Sequence, residues 1–278
     1  MLSRYVGAGL GLGLMIATLV TFFIDSKYSF WIVPFVAGLG GLYALHPAID
    51  WWWANKCEPE MDEKLRVWIR TISPFYRNLD GEDQKKFEDR IMLYLLANEY
   101  LLRSPDDFGA MPDDLKSFFA VPVVELTFNR EENWRLKKFE RLVIYPNKFP
   151  SPNHPKHIHA SEMETVDGVI IVALSEILAW SQNQEKRFSL AHYEMAKAFM
   201  FSFPKEGYPS GLANWELLEK IGGWSEDQLS KEIIGLPEID NMAVAICFYF
   251  TRSVQLQTES PELYEALDRI FNMNFEKI

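Results

Sequence analysis

The distribution of apolar and polar positions divides the chain into two parts. Residues 5–24 and 28–49 form two runs without Asp, Glu, Lys or Arg, separated by the polar turn 25–27. A helix rises about 1.5 Å per residue and a hydrocarbon core is about 30 Å thick, so each run can span a bilayer. A signal peptide has a shorter apolar segment followed by small residues, whereas the first run ends in FFIDSK. The pattern predicts a transmembrane helical hairpin at 1–56, followed by a soluble domain at 57–278.

Small and aromatic residues along the hairpin are distributed as in membrane helices. Glycines of the first run form G-x-x-x-G pairs, which allow two helices to approach closely. We expect them to pack against the second run, a second copy of the chain or another membrane protein. Tryptophans after the second run are expected at the membrane interface, and Pro47 is expected to end or kink the second helix. The predicted packing glycines are Gly7, Gly9, Gly11, Gly13, Gly38 and Gly41, and the predicted interfacial residues are Trp51, Trp52 and Trp53.

Beyond the hairpin, the periodicity of apolar residues changes between helix and strand. Apolar residues recur at helical spacing over 62–73 and 80–102. Short runs rich in apolar, largely β-branched residues predict strands at 121–127, 141–144 and 168–174. Further helices are predicted at 175–182, 187–203, 214–220, 225–234, 239–259 and 261–273. A small sheet followed by helices predicts a helix-rich α+β fold.

Four segments of the soluble domain carry recognisable motifs. They are FERLVIYPNKF at 139–149, DGVIIVALS at 167–175, SLAHYEMAKAF at 189–199, and AVAICFYF with PELYEAL within 243–267. In type and order they resemble the Mlc titration factor A family of zinc peptidases, over roughly residues 68–274. The resemblance implies a zincin-like α+β fold, in which the third segment is the helix that carries the metal site.

The metal site of that family is altered in this chain. The family helix carries H-E-x-x-H, in which two histidines bind zinc and the glutamate is the general base. The resemblance places the two histidines on Tyr193 and Lys197, the base on Glu194, and a downstream glutamate ligand on Cys247. A protonated lysine repels a divalent cation, and tyrosine is a poor zinc ligand beside imidazole or thiolate. We therefore expect a degenerate site without zinc or another cofactor, in which an ion pair between Glu194 and Lys197 replaces the charge of the metal.

Two alternatives stay open. The segment could be an ordinary amphipathic helix whose apolar stripe, from Leu190 to Phe203, faces the core. Alternatively, the chain could be an active zinc peptidase with Glu194, Cys247 and a histidine of the loop HPKHIH at 154–159 as ligands, although this loop is predicted to be exposed. Whether the chain is an enzyme is thus undecided by the sequence, with inactivity favoured.

Composition narrows the class of partner. The chain carries a net charge of −11 and nine tryptophans, and 14% of its residues are aromatic. An acidic chain is not expected to bind nucleic acid or an anionic lipid surface, whereas aromatic residues suit a protein interface. We expect the hairpin to contact the lipid bilayer, and the chain to have a protein partner in a membrane complex or a homo-oligomer.

The flanks of the hairpin predict its orientation. Arg4 and Lys56 are basic, so the positive-inside rule places both termini in the cytoplasm and the chain in the inner membrane. Only two cysteines occur, which agrees with a reducing compartment. Together with the resemblance, these features predict a membrane-anchored, inactive zinc-peptidase relative that serves as a protein-binding or scaffolding subunit. An extended peptide is expected to add to the strand at 169–174.

Overall fold

The computed structural model describes residues 2–57, 60–103 and 111–271. Within it the chain forms two compact units, Met1–Glu60 and Met61–Ile278. The first unit is helical, and the second contains the sheet and the remaining helices.

The first unit is a hairpin of helices α1 (Leu2–Phe23) and α2 (Ile32–Cys57), joined through a 3-10 helix at Ser26–Trp31. Two stretches, Leu2–Phe23 and Ser26–His46, are long and apolar enough to cross a membrane. Large apolar side chains of these helices are exposed to their surroundings. Water disfavours such a surface and lipid does not, which indicates that the chain associates with a membrane.

Helix α2 does not end at Pro47 but continues to Cys57. The sequence predicted that Pro47 would end or kink this helix, and the first of these two outcomes is wrong. A proline lacks the N–H that would bond to the carbonyl four residues earlier, here that of Tyr43. The ring nitrogen Nδ1 of His46 lies 2.7 Å from this carbonyl oxygen. The helix therefore replaces the missing hydrogen bond locally. The three tryptophans lie on the turns of α2 beyond the apolar stretch, with Trp52 and Trp53 exposed.

Only some of the predicted packing glycines lie between the two helices. A Cβ atom at Gly13 would lie 2.2 Å from the Phe35 ring, and one at Gly7 or Gly38 would lie 3.3 or 3.4 Å from a leucine of the opposite helix. The remaining three have no described atom within 4 Å of such a Cβ: Gly9, Gly11 and Gly41. At the open end of the hairpin, the Ser3 backbone N–H donates to the Asp50 carboxylate at 2.9 Å.

The second unit is built around a mixed sheet of four strands, β1 (Glu99–Leu102), β2 (Arg141–Tyr145), β3 (Ser161–Glu164) and β4 (Val169–Ala173). The strand order is β1-β2-β4-β3, in which β3 alone is antiparallel to its neighbour. Strand β4 is thus paired on both sides. The expectation that a peptide adds to 169–174 is wrong, because strand addition needs an edge, and the edges of this sheet are β1 and β3.

The other regular elements described in the second unit are helices. They are α3 (Glu63–Ile72), α4 (Pro74–Asn78), α5 (Gly81–Ala97), α6 (Asp113–Thr127), α7 (Leu174–Gln182), α8 (Leu190–Ser202), α9 (Trp215–Gly222), a π-helix (Gln228–Ile234), α10 (Asn241–Thr251), α11 (Ser253–Glu259) and α12 (Pro261–Phe271), with a 3-10 turn at Lys137–Phe139. Helix α8 packs against α6 and α10. This arrangement confirms the predicted helix-rich α+β class.

Several element predictions were wrong. Residues 121–127 are not a strand but the second half of α6, all of them buried. Their β-branched side chains favour a strand, but the surrounding core overrides this propensity, and Pro122 removes only one hydrogen bond from the helix. The helix predicted at 80–102 ends at Ala97 and is followed by β1, and the helix predicted at 239–259 is divided at Arg252. Strand β3 was not predicted, and the predicted end of the last helix lies outside the described residues.

A charged cluster ties the first three helices of this unit together. Arg66 of α3 contacts Glu88 of α5 through two hydrogen bonds of 3.0 and 3.1 Å, and Tyr76 of α4 donates to the same carboxylate. Burial alone would raise the pKa of Glu88, but the hydrogen bonds from Arg66 and Tyr76 outweigh it and lower this pKa below its ordinary value. The cluster therefore stabilises the fold while Glu88 is ionised.

Candidate functional site

The predicted site lies on α8, in the interior of the second unit. Nine of its residues are buried, from Leu190 to Phe199 with the exception of Lys197. The apolar stripe of this alternative interpretation lies in the core as expected, with Leu190, Met195 and Phe199 buried and Phe203 packed against the core. The helix is nevertheless not amphipathic, because its polar residues His192 and Glu194 are buried together with the apolar ones. A buried carboxylate needs a compensating partner, since its removal from water is costly.

The partner of Glu194 is Lys197, one turn further along α8. Lys197 Nζ lies 2.8 Å from Glu194 Oε2, and the Lys197 ammonium also lies over the Tyr193 ring, 4.9 Å from its centroid. The side chain of Glu194 is 0% exposed and that of Lys197 is 17% exposed. The contact is an ion pair without hydrogen-bond geometry, and neither Glu194 oxygen receives a hydrogen bond from a residue that the structure describes. The expected ion pair is thus present, and the Lys197 ammonium contacts both the Glu194 carboxylate and the face of the Tyr193 ring.

The other two substituted ligand positions are also near α8. The Tyr193 hydroxyl accepts a hydrogen bond from the Asp240 backbone N–H at 3.3 Å. Cys247 of α10 directs its thiol at the Ser189 carbonyl oxygen, 3.5 Å away and one turn before Tyr193. The fold therefore places Tyr193, Glu194, Lys197 and Cys247 around one stretch of α8.

Burial keeps the Tyr193 phenol and the Cys247 thiol protonated at neutral pH. Burial raises the pKa of Tyr193 well above its ordinary value, and the adjacent Glu194 carboxylate raises it further. Burial raises the pKa of the Cys247 thiol to about 12. Zinc binds neutral imidazole, thiolate and carboxylate, whereas the site offers a phenol, a thiol and an ammonium beside its single carboxylate. No cluster of three or more His, Cys, Asp or Glu side chains suited to a metal occurs within 2–57, 60–103 and 111–271.

The histidine-rich loop lies before β3. His157 is exposed, as expected, but the expectation is wrong for His159, which is fully buried. The loop folds back so that the backbones of Phe149 and His159 pair, and the His159 ring packs on Phe149 at 4.6 Å. Its nitrogens lie 3.0 Å from the His157 carbonyl oxygen and 3.2 Å from Glu162. Both nitrogens of His159 thus have protein partners.

A buried network of hydrogen-bonded polar side chains crosses the start of α8, and it was not predicted from the sequence. Ser189 Oγ lies 2.7 Å from His192 Nδ1, and His192 Nε2 lies 2.8 Å from Glu125 Oε2 of α6. The Ser73 hydroxyl donates to the other oxygen of Glu125. The spacing of Ser189 and His192, three residues apart at the start of a helix, was the available signal. Glu125 is distant from both residues in the sequence, and its segment, 121–127, was predicted to be a strand.

Ser189, His192 and Glu125 have the composition of a Ser-His-Glu triad, but their surroundings differ from those of a catalytic triad. Ser189 is 2% exposed, His192 is 4% exposed and Glu125 is 3% exposed. A nucleophile has to reach a substrate carbonyl, which this burial prevents. The hydrogen bonds of this polar network instead satisfy buried polar groups where α6, α8 and the turn at Ser73 meet.

No protein-family model and no curated protein sequence matches this chain. The resemblance to the zinc peptidases accordingly rests on the sequence motifs alone.

Proposed function

We propose that this chain is a membrane-anchored, non-hydrolytic relative of the zinc peptidases of the Mlc titration factor A family, and that it serves as a protein-binding or scaffolding subunit of a membrane complex. The observation that carries the proposal is the buried ion pair between Glu194 and Lys197, 2.8 Å apart. In the family the glutamate at this position activates a water bound to zinc. Here an ammonium lies beside the carboxylate instead.

The ion pair supports the loss of hydrolysis in two ways. The positive charge of Lys197 balances Glu194 and opposes a second cation nearby. In addition, a general base has to reach the water from which it takes a proton, and the Glu194 side chain is fully buried. The protonated Cys247 thiol and Tyr193 phenol support the same conclusion, so the proposal includes no zinc and no other cofactor.

The hairpin supports the membrane part of the proposal. Its two apolar stretches match the thickness of a bilayer. Arg4 and Lys56 favour an orientation with both termini and the soluble unit in the cytoplasm, at the inner membrane. At Gly9 and Gly11 an added Cβ atom would meet no described atom within 4 Å, so these positions leave room for another helix to approach α1. The acidic net charge of −11 favours a protein partner over nucleic acid.

The experiment that tests the proposal is purification of the full-length chain from its native membrane at native expression level, in mild detergent. We expect a second protein in fixed ratio and no cleavage of an unbiased peptide library. Replacing the hairpin with an unrelated one separates its roles, since partner loss would assign assembly to the hairpin and partner retention would assign it to the soluble unit. A chain that purifies alone and cleaves peptides in a chelator-sensitive manner would contradict the proposal. That result would favour the active peptidase that uses Glu194, Cys247 and a loop histidine.

A further inference from the structure

The second unit has a cleft of about 770 Å³ whose lining includes none of the four residues around α8 described above. One wall consists of α9, the turn after it and the π-helix at Gln228–Ile234, and the other is the short segment 156–158 before β3. Pockets that bind small molecules or side chains typically measure about 300–1,000 Å³, so this cleft has a suitable size. π-helices are rare and are frequently found at functional sites.

The two walls are joined through their backbones. Gly235 ends the π-helix at φ +89°, and a Cβ atom there would lie 2.4 Å from the Ile158 carbonyl oxygen. The Ala160 N–H also donates to the Ile234 carbonyl oxygen at 2.6 Å. No residue other than glycine fits this close approach without displacing the backbone. The width of the cleft is therefore set by main-chain contacts, which preorganises it for a ligand.

The lining combines an apolar surface with an excess of negative charge. Trp215 and Leu236 are half-buried, and Ile158 is 66% exposed at the rim. Two lysines and four carboxylates surround them, the carboxylates being Glu216, Glu219, Glu226 and Asp227. Asp227 pairs with Lys231 at 2.5 Å, and Glu216 lies 3.5 Å from Lys220. Glu219 and Glu226 are exposed carboxylates of the same wall and complement a cationic ligand.

We infer that this cleft binds a short extended segment of a partner protein in which a lysine or arginine adjoins an apolar residue. The basic side chain contacts Glu219 and Glu226, and the apolar side chain packs against Trp215 and Ile158. An arginine in this position also stacks on the indole ring of Trp215. The inference rests on the proposed function, because it names the class of partner segment that a protein-binding subunit would take.

The test uses full-length protein in nonionic detergent and fluorescein-labelled peptides. The basic probe is Gly-Arg-Leu-Arg-Gly, and the matched acidic probe is Gly-Glu-Leu-Glu-Gly. Glu219→Lys with Glu226→Lys reverses the charge of the cleft, whereas Glu132→Lys with Glu259→Lys makes the same change in net charge at exposed positions that do not line it. Fluorescence anisotropy measures the affinity of each variant for each probe.

We expect saturable binding of the basic probe by the wild type, weakened about tenfold or more by the cleft pair and little by the control pair. Absence of binding, equal binding of the acidic probe, or equal weakening by both pairs would overturn the inference. The two proposals can fail independently of each other. If the natural partner still co-purifies with the cleft variant, the subunit role stands, but the cleft is not the binding site for that partner.

Discussion

Replacing Lys197 with methionine isolates the contribution of the central ion pair. Methionine is similar in length to lysine, but it removes the ammonium that lies over the Tyr193 ring and leaves Glu194 without a counter-charge. Because Glu194 is 0% exposed and receives no hydrogen bond from a described residue, the variant contains an uncompensated buried carboxylate. Breaking a buried pair in this way typically costs about 3–5 kcal/mol of unfolding free energy.

The second partner and the double variant complete the cycle. Glu194→Met leaves Lys197, which is 17% exposed and can turn its ammonium toward water, so this change should be less destabilising. In Glu194→Met with Lys197→Met both charges are absent, and stability should return to the wild-type value or exceed it by about 1–4 kcal/mol. The double variant should thus be more stable than Lys197→Met alone.

The assay is urea unfolding of the full-length chain in detergent, followed by tryptophan fluorescence. With a urea dependence of about 2–3 kcal/mol per M, the cost of about 3–5 kcal/mol should lower the unfolding midpoint of Lys197→Met by roughly 1–2.5 M. Lys220→Met is the matched control, because it removes a lysine from an exposed pair on α9 and should change the midpoint little. A Lys197→Met variant as stable as the wild type would refute the argument, since Glu194 would then be uncharged or hydrated.

Three further predictions concern separate parts of the molecule. Cys57 is exposed, whereas the Cys247 thiol is buried and its pKa is raised to about 12. Ellman's reagent should therefore modify one thiol per native chain at neutral pH and both thiols after unfolding. Fast reaction of two thiols in the native chain would contradict the burial of Cys247. Gly13→Leu should lower the thermal stability of the helical hairpin in detergent, measured by circular dichroism, whereas Gly9→Leu should not; equal effects would contradict the described helix contact. The pKa of Glu88 is lowered by folding, so its contribution is present above its ordinary value of 4.5 and is lost as the pH falls through the lowered pKa. The stability difference between wild type and Glu88→Gln should therefore be largest near neutral pH and disappear in acid, and a pH-independent difference would refute this assignment.

The sequence predicted those parts of the fold that are determined locally. The charge-free runs predicted both hairpin helices. The start of α5 is also determined locally, because Asp80 accepts hydrogen bonds from two backbone N–H groups of its first turn. The class of fold followed from the same periodicities. Strands β1 and β3 are only four residues long, so neither produces a clear alternation of its own.

Long-range contacts account for what the sequence did not predict. The second half of α6 has β-branched side chains typical of a strand but is helical and buried, so its tertiary environment outweighs its local propensity. The pairing of Glu194 with Lys197 could be predicted because both residues belong to one helical turn. The pairing of His192 with Glu125 could not, because the two residues are 67 positions apart and come together only when α6 packs against α8.

The most direct test of the central claim is the zinc content of the full-length chain, purified from its native membrane, incubated with excess zinc, desalted and analysed by native mass spectrometry. The account predicts the mass of the chain without zinc, both for the wild type and for Glu194→Ala. One tightly bound zinc per chain that is lost in Glu194→Ala, but retained in the exposed control Glu132→Ala, would show that a metal site persists on α8 and would contradict the account.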